Sequence, residues 1–218
     1  MRPCASLAWL CVALVGVATG EIVEADHKVY VIRHGEKSYS AGFNSCLNST
    51  GVARSKLLPA IFDGTRFRSP DALYAWNYLP RASCQRCIEM LHPIANALDL
   101  PINDTYGLAT GSTAAAAGIR AASRAKPTIL VAWEHHQLPG FAKALGADPA
   151  LVGNDDSWPK GDFDTVYVLS YSADSGAFVG FERASEGLSD QMDDVPGDQL
   201  LQPASAYALQ PESRPDAR

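Results

Sequence analysis

Two short clusters in this chain hold residue types that can move a phosphoryl group. The first is Val29-Tyr30-Val31-Ile32-Arg33-His34-Gly35-Glu36-Lys37, an apolar, β-branched run that ends abruptly in Arg-His-Gly-Glu. The second is Trp133-Glu134-His135-His136, which closes the apolar run Thr128-Ile129-Leu130-Val131-Ala132. An imidazole can act as a nucleophile, and a guanidinium presents a fixed fork of donors that suits phosphate. Phosphoryl transfer through a phosphoenzyme needs a nucleophile, charge stabilisers around the equatorial oxygens and an acid for the leaving group. A second cluster facing the first is therefore expected, and Glu134-His135 meets that need. His136 is expected to face away, because successive residues at a strand end alternate in direction.

The elements that must position these clusters are legible in the hydrophobic pattern. Residues 29–32 and 128–133 are brief, apolar and β-branched, as buried strands are. Each chemical cluster then lies at the carboxyl end of a strand, where open α/β sheets bind ligands. Gly35 is expected to turn the backbone sharply and to let a ligand approach it. Helical spacing recurs at 47–62 (Val52, Leu57, Leu58, Ile61) and at 85–98 (Ile88, Leu91, Ile94, Ala95, Leu98), with Pro59 and Pro93 as irregularities. Residues 71–75 read as a short strand, 112–124 as an Ala-rich helix, and 138–145 as a helix that Gly146 stops. Two strands, 163–170 and 177–181, are expected to meet around Asp174-Ser175-Gly176. Strands that alternate with helices predict a three-layer α/β/α sandwich with a largely parallel sheet, and the last two strands predict an antiparallel edge.

Arg33-His34-Gly35-Glu36-Lys37 resembles the signature of the histidine phosphatase superfamily, the phosphoglycerate-mutase-like proteins. Residues 129–146 resemble a variant of that family in which Trp-Glu-His precedes a short helix and a Leu-Gly-Ala ending. Leu47-Asn48-Ser49-Thr50-Gly51-Val52-Ala53-Arg54 resembles the family's leucine, glycine and helix segment after the active-site loop. The likeness runs from residue 29 to 170, with gaps in the loops. It implies the same sandwich fold and a metal-independent phosphatase that acts on a small phosphorylated substrate and uses no cofactor. His34 would become phosphorylated, and Arg33, His135 and one further arginine would hold the equatorial oxygens. Gln85-Arg86-Cys87-Ile88-Glu89 resembles the family's Arg-containing helix, with Met90 in place of the usual Thr. Arg81-Ala82 resembles another form of that motif, but counting back from Ala97-Leu98 favours Arg86. The proton donor stays open between Glu134, Glu36 and Asp104. Trp158 and Asp162-Phe163-Asp164 also match the variant and are read as structural. The rival readings are an inactive anion-binding protein on the same fold and a phosphomutase.

The 218 residues suffice for one domain with a sizeable core. A net charge of −6 and the lack of a basic cluster argue against a nucleic-acid surface. Residues 1–20 read as a secretory signal, with Arg2 ahead of an apolar core and small residues at 18–20. If uncleaved, this segment would be an N-terminal anchor; no later segment reads as a membrane span. A secretory route also suits the acceptor sequons at Asn48 and Asn103. Cys46, Cys84 and Cys87 remain after the signal, which allows one disulfide and one free thiol. The domain is expected over 21–183, and the polar, acidic residues 184–218 are read as a mobile tail.

Overall fold

The computed structural model describes residues 27–38, 42–153 and 158–193. The expected signal and most of the expected tail lie outside these residues. Six strands form a single sheet: β1 (His27–Arg33), β2 (Ala72–Ala75), β3 (Ile102–Asn103), β4 (Thr128–Trp133), β5 (Thr165–Tyr171) and β6 (Phe178–Ser185). Their spatial order is β3-β2-β4-β1-β5-β6. The first four run parallel, and β5 and β6 complete an antiparallel edge. The main helices are α1 (Ser49–Ile61), α2 (Arg86–Leu98), α3 (Gly111–Ala122) and α4 (Leu138–Leu145). They flank the sheet, α1 packing on α2 and α3 on α4. Short helices α5 (Pro149–Val152) and α6 (Ser189–Asp193) follow.

The sandwich explains the unbroken apolar runs. Every residue of β4 is buried, as are Val29 to Arg33 of β1, because helices cover both faces of the parallel part. In contrast, β6 is only partly covered, as an edge strand should be. α4 matches the expected span and ends at Gly146, whose φ of 117° favours glycine. β3 has two residues, too few for a hydrophobic period to announce it in the sequence.

Three expectations change. α1 does not bury the expected stripe. Val52 is exposed, while Gly51, Arg54 and Ser55 are buried beside Leu58 and Ile61. Its start is set by Asn48, whose Oδ1 accepts the Gly51 N–H at 2.9 Å. Gly35 serves close packing: a Cβ there would lie 2.9 Å from Gly51 Cα, and one at Gly51 would lie 2.2 Å from the Glu36 carbonyl oxygen. The two glycines let α1 press against the loop after β1. Finally, the ordered fold continues past Arg183. Asp164 accepts the backbone N–H groups of Gly187 and Leu188 at 3.2 and 2.8 Å, and Leu188 and Met192 are buried.

Candidate active site

Register brings the two clusters together. β1 and β4 are neighbours, with Arg33 opposite Trp133, so the residues that follow emerge side by side. The His34 N–H donates to the Trp133 carbonyl at 3.3 Å, one step beyond the strand ends. His34 Nε2 then lies 3.2 Å from His135 Nδ1.

The protonation of each ring follows from its partner. His34 Nδ1 is 2.8 Å from the Gly35 carbonyl oxygen, which can only accept, so Nδ1 carries the hydrogen. The Nε2 lone pair is therefore directed at His135. Burial pushes the His34 pKa well below the usual histidine value, and the Arg86 charge pushes it further. The ring is neutral at neutral pH, the form a nucleophile requires.

Glu134 sits behind both other histidines. Its Oε1 is 2.7 Å from His135 Nδ1 and 3.0 Å from His136 Nδ1, and its Oε2 accepts the His136 backbone N–H at 2.9 Å. Burial works to raise this carboxyl, but the bonds and charge of His135, then of His136, outweigh it and hold the pKa near about 2. Glu134 is thus ionised and can only accept. It fixes a hydrogen on His135 Nδ1, which is also the atom facing His34. Burial lowers the His135 pKa in spite of Glu134.

His136 does not face away. Strand geometry stops at Trp133, and a turn begins at His135, so the alternation that would have sent His136 outward no longer applies. Its ring is largely exposed, packs 3.9 Å from His135 by ring centroids and lines the same cavity.

That cavity holds roughly 270 Å³ and is lined by Arg86, Arg81, Lys37, Glu134, His135 and His136, with Phe43, Trp76 and Leu108 as apolar walls. Arg86 is buried in the first turn of α2, where the helix N-terminus adds positive potential. Its Nη1 donates to the carbonyls of Phe43 and Ser45 at 3.0 and 3.3 Å, and its guanidinium carbon lies 4.0 Å over the Tyr78 ring. Its Nε has no hydrogen-bond partner among the described residues, so the protein does not saturate the fork. Arg81 is exposed and also lines the cavity.

Other expected site residues lie elsewhere. Arg33 is buried, donates from Nη1 to the carbonyls of Pro159, Lys160 and Asp162, and stacks 3.9 Å over Phe163. The Trp158 Nε1–H donates to the same Asp162 carbonyl, so the Trp158 loop serves as a bracket for Arg33. Glu36 turns away from the cavity and is gripped by Arg54, with contacts of 2.8 to 3.2 Å. Asp104 is exposed and held by Asn77. Phe43, Trp76 and Leu108 come from the loops 38–46, 76–83 and 100–112, which the sequence marks as the ones to shape the pocket, whereas His136 was missed, its local hint being a second histidine beside an acid.

His34, Glu134 and His135 place three ligand atoms within 4.8 Å of one another, a set with the composition of a metal site. Cys46, Cys84 and Glu89 also cluster, but the two sulfurs are joined as a disulfide and offer no thiolate.

No family model matches the chain, and no curated protein matches it. Solved structures do match. The protein histidine phosphatase SixA, complexed with tungstate, superposes at a TM-score of 0.53 with 16% identity, over 73% of this chain and 97% of that one. A mycobacterial hydrolase gives 0.52 with 11% identity, over 77% and 95%. A protein assigned as an α-ribazole-5′-P phosphatase from Escherichia coli gives 0.50 with 11% identity, over 74% and 97%. The chain therefore has the phosphoglycerate-mutase-like fold of the histidine phosphatases, as the motif resemblance implied.

Proposed function

We propose that this protein is a phosphomonoesterase that works through a phosphohistidine at His34. The observation that carries the reading is a neutral, buried His34 whose Nε2 lone pair faces His135 beside a partly unsaturated Arg86. Nε2 attacks phosphorus and the phosphorus–oxygen ester bond breaks. Arg86 donates to the phosphoryl oxygens as charge develops, and the His135 ring, oriented through its Nδ1–H by Glu134, stands beside them. Arg33 adds positive charge from behind the loop. Water then attacks phosphorus, the phosphorus–nitrogen bond breaks, and phosphate and free His34 are released.

The leaving oxygen needs a proton. Glu134 is ionised at neutral pH and serves as an orienting acceptor. His136 shares that carboxylate, lines the cavity and is the group placed to deliver the proton. We take the substrate to be a small phosphorylated molecule of a size that suits the cavity; of the superposable structures, one is named for α-ribazole-5′-P and another for protein histidine phosphatase activity.

Hydrolysis of an aryl phosphate in the presence of a chelator tests the reading. The chain should turn over, His34→Ala should not, and the intact chain should accumulate an acid-labile phosphoprotein in a quench. A second reading rests on the His34, Glu134 and His135 ligand set: metal-assisted hydrolysis. Loss of turnover on chelation and its return with metal would select it. Binding of tungstate without any turnover would instead leave an inactive anion-binding protein.

The secretory assignment is part of the same proposal. The apolar start of the chain supports it, as does a disulfide of the kind that persists in oxidising compartments. Among the described residues no helix is long and apolar enough to cross a membrane. N-terminal sequencing of the secreted product would test it; an intact Met1 would overturn cleavage.

A further inference from the structure

Arg86 is held by a loop, and that loop is tied down by a disulfide. We infer that the Cys46–Cys84 bond is a positioning device for the Arg86 phosphate clamp, so that oxyanion binding and turnover depend on its redox state. The inference rests on the phosphatase reading above.

The connectivity is direct. Arg86 Nη1 donates to the carbonyls of Phe43 and Ser45. Cys46 follows Ser45, and Cys84 stands two residues before Arg86. The bond thus closes a clasp between the loop that supplies the acceptors and the turn that launches α2. Other ties assist it, among them the Ser38 N–H to the Cys46 carbonyl at 3.2 Å and the Phe43 ring, 5.8 Å from the Tyr78 ring by centroids. Asn44 Oδ1 accepts the Cys84 N–H at 3.1 Å and the Ser83 hydroxyl at 3.2 Å, and Glu89 Oε2 accepts the Leu47 N–H at 2.9 Å. Phe43, Asn44 and Ser83 are exposed, so the loop has little apolar burial to hold it. The same loop carries Phe43, a wall of the cavity.

The remaining cysteine makes the device clean. Cys87 is fully buried one turn along from Cys84, and its thiol is held by Tyr78. Exchange requires a thiolate, and the low-dielectric surroundings of Cys87 deny it that form. Cys84 therefore keeps its partner. A dithiol reductant would supply two electrons and two protons. The sulfur–sulfur bond breaks, Cys46 and Cys84 become thiols, and the dithiol is oxidised to its own disulfide.

The experiment measures kcat/KM for an aryl phosphate and the Kd for tungstate, with the full chain oxidised and then reduced by a dithiol. Alkylation confirms two new thiols, and near-ultraviolet circular dichroism confirms that the fold persists. Reduction should lower kcat/KM about tenfold or more and weaken tungstate binding by a similar factor. Cys46→Ser/Cys84→Ser should mimic the reduced state. Asn44→Ala, which loosens the same loop and keeps the bond, should give a smaller loss in the same direction. Arg86→Ala should already be impaired and should lose no more than about twofold on reduction. Unchanged tungstate affinity in verified reduced protein would overturn the inference. So would an equal fractional loss on reduction in Arg86→Ala, because the effect would not run through Arg86. If the oxidised chain binds tungstate but never turns over, the catalytic reading fails while the tungstate arm still decides this one. If it binds no tungstate, both fall.

Discussion

Two clusters of buried ionisable side chains flank the end of β1, and they serve different ends. One is His34, Glu134, His135 and Arg86: the last three line a cavity, and His34 is buried against His135. The other is Arg54 with Glu36, Glu186 and Asp164, packed between α1 and the end of β6. Arg54 contacts Glu36 and Glu186 at 2.8 and 2.9 Å, and Asp164 lies 3.7 Å away. Both clusters take charge out of water. In the second, the guanidinium is surrounded by carboxylates, and Ser185 and backbone N–H groups cover Asp164. In the first, which borders the cavity, the His34 Nε2 lone pair meets only His135 Nδ1 and the Arg86 Nε has no partner among the described residues; in the second, Glu186 Oε1 is likewise unpartnered. Chemical competence follows from what the protein leaves unsatisfied around an opening, and burial of charge is not enough. Two residues of one motif, His34 and Glu36, fall on opposite sides of that division.

Removing the nucleophile should separate the clusters most sharply. His34→Ala is expected to lower kcat at least about a thousandfold, with a melting temperature close to that of the parent, as steady-state kinetics and calorimetry would show. A comparable melting-point loss would mean that the ring is chiefly a core residue.

Arg54→Ala should show the reverse. It strands buried carboxylates, so a loss of about 3–5 kcal/mol in unfolding free energy is expected, read from urea titration. The residual folded enzyme should keep most of its activity per folded molecule. Activity lost without destabilisation would bring Glu36 and Arg54 into the site after all.

His136→Ala sharpens the picture inside the first cluster. It should cost about 10²-fold in kcat for an alkyl phosphate and little for a nitrophenyl phosphate, whose leaving group needs no proton. An equal loss with both esters would assign the proton to another group.

The pH responses should also diverge. His34 must be neutral to attack, and its pKa lies below the ordinary 6.5. For a nitrophenyl phosphate, whose leaving group needs no proton, the acid limb of kcat/KM should therefore fall below the usual histidine range. Glu186 behaves oppositely. Full burial raises its pKa from 4.5 to about 8, against the pull of Arg54, because three carboxylates share one guanidinium. The folded state then holds a proton that the unfolded state has released, so this contribution to stability is lost as pH rises from 4.5 to about 8. Glu186→Gln should flatten the melting-temperature profile in that window by a few degrees, the smallest of these effects. An unchanged slope would show that Glu186 is ionised.

Much of this was legible along the chain. β4 and α4 matched their expected spans because one is a dense β-branched run and the other is closed by a glycine. The positions of His34, His135 and Arg86 were legible because strand ends and helix starts are local events. Glu36 was misread as a binding residue because its partner, Arg54, lies a helix away and nothing in the motif signals it. His136 was misread because alternation was carried past the last strand residue. The end of the domain was placed early, since a polar stretch gives no sign that Asp164 will bind its backbone.

The sequence by itself determined the longer strands, the helices and the strand-end position of His34. Those depend on residue type and short-range spacing, which hydrophobic period and backbone sterics read directly. Tertiary structure alone decided which acids face the cavity, which arginines line it and which cysteines pair. Each of those depends on groups far apart in the chain, and only the register of β1 against β4 and the packing of α1 and α2 bring them within reach.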